Sequence, residues 1–354
     1  MKAYFTKLEY IQTDLIDLKY TPQLKIVQNP ETIIKLIQKS TNLPVWKELN
    51  EFIIYDINYF KAKSLIFKKF NKVIGHTLIF NLDNEVLYFG FFRVLRDKKK
   101  YIKQFITLLI EYAIKMGFKL INGPINIPTI IFGWGFMEKG SATTNFIHKP
   151  VISPNYLELF IKKGFNEQLK EYSYEGIISE DLKKKLGVNK TSKYEAFNFE
   201  DWDSLFNFKH DFLELNARNL PKESVITPNI DQLFDNYFNF IKKYGYPFMF
   251  TFLREAASKK TIGCLFGIPN PFRKNKQMIY DSTLILSFVV DKEYRDKQLT
   301  GFLINNYVDK ALEHNITYAA TTLGSHAWQA QKVCESLGLI NSRTHVTLTL
   351  TIKS

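Results

Sequence analysis

A short charged segment, RDKQLTG (residues 295–301), separates an apolar strand-like run from an amphipathic helix-like run. The backbone N–H groups in the first turn of a helix have no partner within the helix, and the helix dipole adds partial positive charge there. Arg295 and Lys297 bring further positive charge to the same place. The junction therefore predicts a seat for an anion such as a diphosphate, with an ordinary charged turn as the alternative.

Other patterns that carry chemistry are missing from the sequence. The six histidines show no metal-ligand spacing, so no metal is expected. No nucleophile-elbow, Walker or Rossmann glycine pattern occurs either. The two cysteines, Cys264 and Cys334, lie far apart without a CxxC pair. This usage favours a reducing, cytoplasmic location and argues against a disulfide framework.

The size of the chain indicates two domains. It has 354 residues and is 45% hydrophobic with 31 Phe and 19 Tyr, enough for large cores. The net charge is +13, but most of the excess is dispersed lysine, so nucleic acid is an unlikely partner on composition. The apolar runs are far shorter than the ~20 residues of a membrane span, so a protein without a transmembrane segment is expected.

The chain contains a faint internal repeat. An Ile-Gly pair follows a strand-like run in each half, at Ile74-Gly75 and Ile262-Gly263. In both halves a further strand, a long amphipathic helix, a buried-looking strand and a short helix ending in glycine come next. Gly164 and Gly338 suit the left-handed residue that ends a helix.

The order strand-strand-strand-helix-strand-helix-strand in each half predicts a mixed sheet with a right-handed crossover between parallel strands. The fold class is therefore α+β, with two similar domains in tandem. The polar, lysine-rich stretch SEDLKKKLGVNKTS (residues 179–192) is the predicted boundary, giving domains 1–180 and 181–354.

The segment VVDKEYRDKQLTGFLI resembles the acetyl-CoA-binding motif of the GNAT N-acyltransferases, in which a strand ends in Val-x-Pro-x-x-Arg-x-x-Gly-x-Gly/Ala before a helix. Val290, Arg295 and Leu299 match, whereas Lys292, Gln298 and Thr300 replace the proline and two small residues. The helix endings YLELFIKKGF and VCESLGL resemble the family's Tyr-x-x-Leu-Gly-Phe helix ending. The chain thus resembles two tandem GNAT-like domains.

The resemblance implies acetyl-CoA or a longer acyl-CoA as co-substrate and a small-molecule or lipid-like amine as acceptor. The resemblance also implies that the pantetheine arm of the acyl-CoA lies in a gap between residues 286–290 and residues 318–322. The first copy lacks the glycine motif and is expected to be degenerate. The residues implied to bind acyl-CoA are Phe288, Val289, Val290, Arg295, Asp296, Lys297, Gln298, Leu299, Thr300 and Gly301.

Acyl transfer to an amine needs a proton acceptor for the amine and a proton donor for the leaving thiolate. The resemblance places Cys334 where many GNAT enzymes have a tyrosine acid, and Phe160 in the first copy, which cannot act. His326 is a candidate base, and Asp281 a distal one. Two of them have a structural alternative: a buried inert Cys334, and a surface His326 beside a Ser325 helix cap.

The segment INGPINIPT (residues 121–129) in the first half resembles a Gly-Pro-x-Asn segment of tandem GNAT proteins. It is either a structural turn or the start of a loop that shapes an acceptor pocket, with Trp134 and Phe136 as its lining. Two further functions stay open: an inactive GNAT-fold protein that binds a ligand or serves as a scaffold, and a Fem-type transferase that takes aminoacyl-tRNA.

Overall fold

A computed structural model of the chain describes residues 15–16, 23–40, 47–69, 72–140, 146–149, 155–185, 192–219, 230–272, 280–295 and 299–352. These residues form two compact units, Met1–Lys170 with Thr344–Ser354, and Glu171–Arg343. Both units combine helices with a mixed sheet, so the predicted α+β class is confirmed. The assignment of one domain to residues 1–180 and another to 181–354 stays a prediction.

The first unit is built on a sheet in which the first six strands lie in chain order and the seventh does not. The strands are β1 (Leu15–Ile16), β2 (Gln23–Val27), β3 (Lys63–Lys69), β4 (Lys72–Asn81), β5 (Val86–Val94), β6 (Leu120–Gly123) and β7 (Phe136–Gly140). The helices are α1 (Pro30–Ser40), α2 (Asn50–Tyr59), α3 (Lys99–Lys115), α4 (Thr129–Phe132) and α5 (Asn155–Ile161). β2 to β5 pair antiparallel, and β5 pairs parallel with β6 after the α3 crossover.

The second unit repeats this arrangement with its own elements. Strand β8 (Asn166–Ile177) leads into it, followed by β9 (Tyr194–Phe197), β10 (Phe250–Glu255), β11 (Thr261–Pro269), β12 (Ser282–Val290) and β13 (Tyr318–Gly324). The last strand, β14 (Ile340–Thr351), begins in the second unit and belongs to the first unit from Thr344 onward. The helices of the second unit are α6 (Glu180–Lys185), α7 (Trp202–Asn207), α8 (Lys209–Asn219), α9 (Ile230–Tyr244), α10 (Leu299–Glu313) and α11 (Trp328–Ser336). β9 to β12 pair antiparallel, and β12 pairs parallel with β13 after the α10 crossover.

The last strand of each repeat is exchanged, which the order of elements does not reveal. Residues Glu171 to Ile177 of β8 follow the first unit's helices, yet they pair antiparallel with β13 in the second unit. The end of β14, from Leu348 to Thr351, pairs antiparallel with β6 in the first unit. Each sheet is therefore completed by a strand that comes from the other half of the sequence.

The repeated Ile-Gly pairs lie where the long helix packs on the sheet. A Cβ on Gly263 would lie 3.0 Å from Leu303 of α10, and a Cβ on Gly75 would lie 3.0 Å from Phe105 of α3. Leu303 is buried in the core of the second unit, and Phe105 is buried in the core of the first unit. Glycine at these two positions lets each long helix approach its strand closely.

The predicted left-handed helix ends are present, since Gly164 has a φ of 94° and Gly338 a φ of 85°. Within the described residues, no helix has the length and apolar character needed to cross a membrane.

Candidate functional site

A fork between β12 and β13 is the central feature of the second unit. The two parallel strands pair from Ser282 with Tyr318 to Ile285 with Thr321, and the pairing ends there. Beyond this point β12 remains paired with β11 on its other side, up to Val290 with Gly263. The edge of β12 that faces β13 is therefore open from Leu286 onward. The gap predicted from the resemblance is present, but residues Tyr318 to Thr321 lie in the paired part and not in the gap.

A β-bulge explains why the strands separate. Ser287 is opposite Phe266 and Ile285 is opposite Gly267, so Leu286 is an extra residue on β12. A bulge bends the strand that carries it and increases its twist. The bulge and the end of the parallel pairing fall at the same residue. From Ile285 to the end of β12, the fork runs for about 17 Å along the strand.

At the end of the fork the chain makes a tight turn before α10. Asp291 donates its backbone N–H to the Ile262 carbonyl at 2.8 Å, and Tyr294 donates its own to the Asp291 carbonyl at 2.8 Å. Tyr294 is buried in the core of the unit. Two residues of α8 also hold the turn: Asn219 accepts the Lys292 N–H at 3.1 Å, and Arg218 forms an ion pair with Asp291 at 2.8 Å. The turn thus has fixed anchors on two neighbouring elements.

Arg295 closes the turn and carries charge to its surface. Its Nε donates to the Val290 carbonyl at 3.2 Å, which ties the side chain to the end of β12. The residue is exposed, and among the described residues its two terminal nitrogens have no partner. A planar guanidinium held at Nε and open at its other nitrogens suits bidentate contact with a phosphate.

The other predicted binding residues are only partly described. Phe288 is half-buried in the open part of β12, while Val289 and Val290 are buried. Leu299 and Gly301 are buried at the start of α10, and Thr300 is half-buried there. Asp296, Lys297 and Gln298 lie outside the described residues. Phe288 thus lies in the open part of β12, Arg295 in the turn that follows it, and Thr300 in the first turn of α10.

His326 lies just beyond the end of β13 and is exposed. A Cβ on Gly324 would lie 2.4 Å from the His326 ring, so the ring rests against the backbone of Gly324. The predicted Ser325 cap is wrong, because α11 begins at Trp328 and Ala327 occupies its N-cap position without a side-chain hydrogen bond. His326 is thus at the mouth of the fork, on the β13 side.

Cys334 is buried on α11, with 8% of its surface exposed. Burial, together with the nearby Glu335 carboxylate, raises the pKa of its thiol to about 12. Protonating a thiolate of ordinary pKa near 8.5 from such a group would be uphill by about 5 kcal/mol. The raised pKa therefore favours an inert buried Cys334 over a proton donor.

Asp281 lies at the opposite end of the strand from the turn. Its carbonyl accepts the N–H groups of Thr317 and Tyr318 at 3.0 and 3.2 Å, at the beginning of the β12–β13 pairing. The residue is five positions before Leu286, where the edge of β12 opens, or about 17 Å along the strand. Asp281 and His326 therefore lie at opposite ends of the β12–β13 pair.

Three residues of α8 that sequence reasoning missed contact the site. Besides Arg218 and Asn219 at the turn, Asn216 accepts the Ser287 hydroxyl at 2.7 Å in the open part of β12. Asn216 and Asn219 are buried, with 9% and 6% exposure. The sequence does contain one pattern that indicates this site: two asparagines three residues apart in a helical segment lie on the same face of the helix, so both would be buried together.

The first unit has the same fork, and its own chain fills it. β5 and β6 pair only from Val86 to Tyr88, and beyond this the segment after Gly123 lies along β5. Ile125 donates its N–H to the Phe89 carbonyl at 2.7 Å, and Phe91 donates its N–H to Asn126 Oδ1 at 2.6 Å. A Cβ on Gly90 would lie 2.0 Å from the Ile125 carbonyl oxygen. The open edge of β5 is thus occupied by residues 125–126.

The predicted pocket lining in the first unit is only partly supported by the packing. Phe136 is fully buried in the core, where it contacts Phe89 and Phe160, so its prediction as pocket lining is wrong. Trp134 is half-buried and packs against His148, with the ring centroids 4.2 Å apart.

Among the described residues, no group of three or more His, Cys, Asp or Glu side chains could hold a metal ion.

A mixed sheet whose two parallel strands separate into a fork, followed by a turn and a long helix, occurs in both units. Comparison with solved structures identifies this architecture. A tandem GNAT protein from the clavulanic acid biosynthesis pathway, solved without acetyl-CoA, matches 94% of this chain over 99% of its own length, with a TM-score of 0.60 and 11% identity. The chain has a tandem GNAT fold.

Two further structures agree with the tandem GNAT fold. A GCN5-related glucosamine N-acetyltransferase region of a fungal multi-domain beta-N-acetylglucosaminidase matches 94% of this chain and 38% of its own, with a TM-score of 0.58 and 11% identity. A conserved protein of unknown function from Enterococcus faecalis, described as a probable N-acyltransferase, matches 94% of this chain and 72% of its own, with a TM-score of 0.54 and 10% identity. No protein-family model matches the sequence, and no curated protein matches it significantly. At these identities the likeness defines the fold alone.

Proposed function

We propose that the second unit is a GNAT-type N-acyltransferase site that takes an acyl group from acyl-CoA and gives it to an amine. The observation that supports this most is the open edge of β12 from Leu286, which leads directly to the turn at Arg295 and the start of α10. An extended pantetheine arm can pair with a free strand edge, as an added strand would. Its diphosphate would then reach the amides and cationic side chain at the helix start.

The reaction itself asks for positioning and proton transfer. The amine nitrogen attacks the thioester carbonyl carbon, the carbon–sulfur bond breaks, and the CoA thiolate leaves. The amine loses one proton and the thiolate gains one, so the two transfers balance. His326, at the mouth of the fork, is the described candidate nearest to an incoming amine, and its role as base is part of the proposal.

The first unit is proposed to bind no acyl-CoA. Residues 125–126 occupy the edge of β5 that a pantetheine arm would need, through the hydrogen bonds to Phe89 and Phe91. A single acyl-CoA per chain is therefore expected. This stoichiometry distinguishes the proposal from one in which both copies are active.

A binding protein without catalysis is the second candidate. Two observations favour it: Asp281 lies at the opposite end of the β12–β13 pair from His326, and the pKa of Cys334 is raised to about 12. Binding of acyl-CoA without release of CoA thiol across a panel of amines would support this candidate. A tRNA-dependent transferase would instead co-purify with tRNA and bind it in a salt-sensitive manner.

The test is calorimetric titration of the purified chain with acetyl-, medium-chain and long-chain acyl-CoA, followed by a thiol-release assay with amines. Arg295→Ala should weaken acyl-CoA binding by about ten- to a hundredfold, because it removes a charge-assisted hydrogen bond worth about 1.5–3 kcal/mol. Lys310→Ala, which removes a positive charge from the last turn of α10, is the matched control. Absence of binding to every acyl-CoA, or an unchanged affinity in Arg295→Ala, would contradict the proposed site.

A further inference from the structure

The helix α8 contacts both ends of the proposed acyl-CoA site through a pair of asparagines. Asn216 Oδ1 accepts the hydroxyl of Ser287, which lies in the open part of β12. Asn219 Oδ1 accepts the backbone N–H of Lys292, which lies in the turn before α10. One helical turn of α8 thus spans the region from the fork to the predicted diphosphate seat.

The two asparagines make the same contact within their own helix. Asn216 Nδ2 donates to the Phe212 carbonyl at 2.8 Å, and Asn219 Nδ2 donates to the Leu215 carbonyl at 2.9 Å. Both side chains are buried to a similar degree. Asn216 Nδ2 also contacts Cys264 Sγ at 3.7 Å. The main difference between the two residues is the group from which the side-chain oxygen accepts a hydrogen bond, so each residue serves as a control for the other.

The contact made by Asn219 fixes the path of the chain at the turn. The Lys292 amide has its partner on α8, Asp291 is paired with Arg218, and Arg295 is tied to Val290. Without the Asn219 oxygen, the Lys292 N–H loses its acceptor, and one anchor of the turn is gone. The position of Arg295 depends on this turn, because Arg295 directly follows it.

The ion pair next to it has an electrostatic consequence. Asp291 has a side chain that is only 9% exposed, and Arg218 lies 2.8 Å from its carboxylate. A carboxylate beside a diphosphate seat would repel the ligand if no cation were paired with it. Arg218 offsets this charge from outside the segment that contains the predicted seat.

From these contacts we infer that Asn219 and Arg218 are positioning residues for recognition of the diphosphate, whereas Asn216 positions the fork for the pantetheine arm. This inference rests on the proposed function, since it assigns parts of the same acyl-CoA site to residues of α8. Neither residue needs to touch the ligand. The experiment tests whether Asn219 affects recognition of the diphosphate and Asn216 affects recognition of the pantetheine arm.

The experiment compares two ligands that differ in the diphosphate. Dissociation constants of acetyl-CoA and of S-acetylpantetheine, which lacks the diphosphate and the nucleotide, are measured for the wild type, Asn219→Ala and Asn216→Ala. Asn219→Ala should weaken acetyl-CoA about three- to tenfold and leave S-acetylpantetheine unchanged. Asn216→Ala should weaken both ligands by a similar factor, so the ratio of the two constants stays at its wild-type value.

A second pair of variants tests the charge argument. Arg218→Ala should weaken acetyl-CoA more at low salt than at high salt, and Asp291→Asn in the same chain should restore the affinity. Thermal unfolding of all variants shows whether the fold is retained, and a merely structural role would not change the ratio of the two ligands. The inference would be overturned if the ratio of the dissociation constants of acetyl-CoA and S-acetylpantetheine were the same in Asn219→Ala and Asn216→Ala. If the wild type binds no acyl-CoA at all, the proposed function fails first.

Discussion

Replacing Asn126 by alanine is a direct test of how the first unit closes its own fork. Asn126 is 1% exposed, and its Oδ1 accepts the Phe91 N–H at 2.6 Å. Its Nδ2 donates to the Phe132 carbonyl at 3.4 Å. Phe91 has a positive φ of 47°, a conformation that is unfavourable for a bulky residue and needs support from its surroundings.

The expected effect follows from the groups that lose their partners. A buried N–H left without an acceptor costs about 1–3 kcal/mol, and the contact with the Phe132 carbonyl is long enough to add little. The loss of support for the Phe91 backbone acts in the same direction. We expect Asn126→Ala to lower the free energy of unfolding of the first unit by about 2–3 kcal/mol.

Hydrogen exchange measured by mass spectrometry gives the local readout. Peptides that contain Phe91 should lose protection in Asn126→Ala, while peptides of β12 in the second unit should keep theirs. Asn126→Asp retains an oxygen that can accept the Phe91 N–H and is the matched variant for this bond. If the exchange of Phe91 peptides in Asn126→Ala equals that of the wild type, residues 125–126 do not hold the fork closed.

Three other predictions use the packing and pKa values of both units. Gly263→Val should lower the free energy of unfolding by about 1–3 kcal/mol, because the larger side chain overpacks the space under α10, and it should also weaken acyl-CoA binding. Gly75→Val should lower the free energy of unfolding without changing acyl-CoA binding. Denaturation measures the stability of both variants, and calorimetry measures the binding. Cys334 should resist iodoacetamide at pH 8 in the native protein and react fully in denaturant, because burial raises the pKa of its thiol to about 12; labelling of native protein at the rate of a free thiol would contradict this. Burial lowers the pKa of His76 and of His148 from 6.5 to about 3. As the pH falls below 6.5, the two histidines are protonated in the unfolded chain but stay neutral in the folded protein. The free energy of unfolding should therefore decrease as the pH falls from 6.5 towards 3. The loss should approach about 1.4 kcal/mol per pH unit for each histidine, and a urea midpoint independent of pH between 7 and 5 would refute it.

Local patterns were sufficient to predict the repeated order of elements. The long amphipathic helix expected in each half is present as α3 (Lys99–Lys115) and α10 (Leu299–Glu313). The glycines that end the short helices have the left-handed conformation expected of them. These features depend on hydrophobic period and on the conformational freedom of glycine, both of which are local.

The exchange of the last strands was beyond the reach of such patterns. The segment LKEYSYEGII alternates as a half-buried strand should, and the alternation is the same whichever sheet it joins. Its pairing with β13 depends on long-range contacts that sequence order does not encode. For the same reason, the pair of asparagines on α8 could be located in the sequence but not connected to Ser287 and Lys292.

The amino-acid sequence by itself determined the two-fold repeat of elements, the mixed-sheet class and the strand-to-helix junction at Arg295. Tertiary structure decided which fork is open. In the second unit the bulge at Leu286 leaves a free strand edge, and in the first unit residues 125–126 bond to that edge. The physical reason is that a backbone N–H or carbonyl shows its partner only when distant segments have come together.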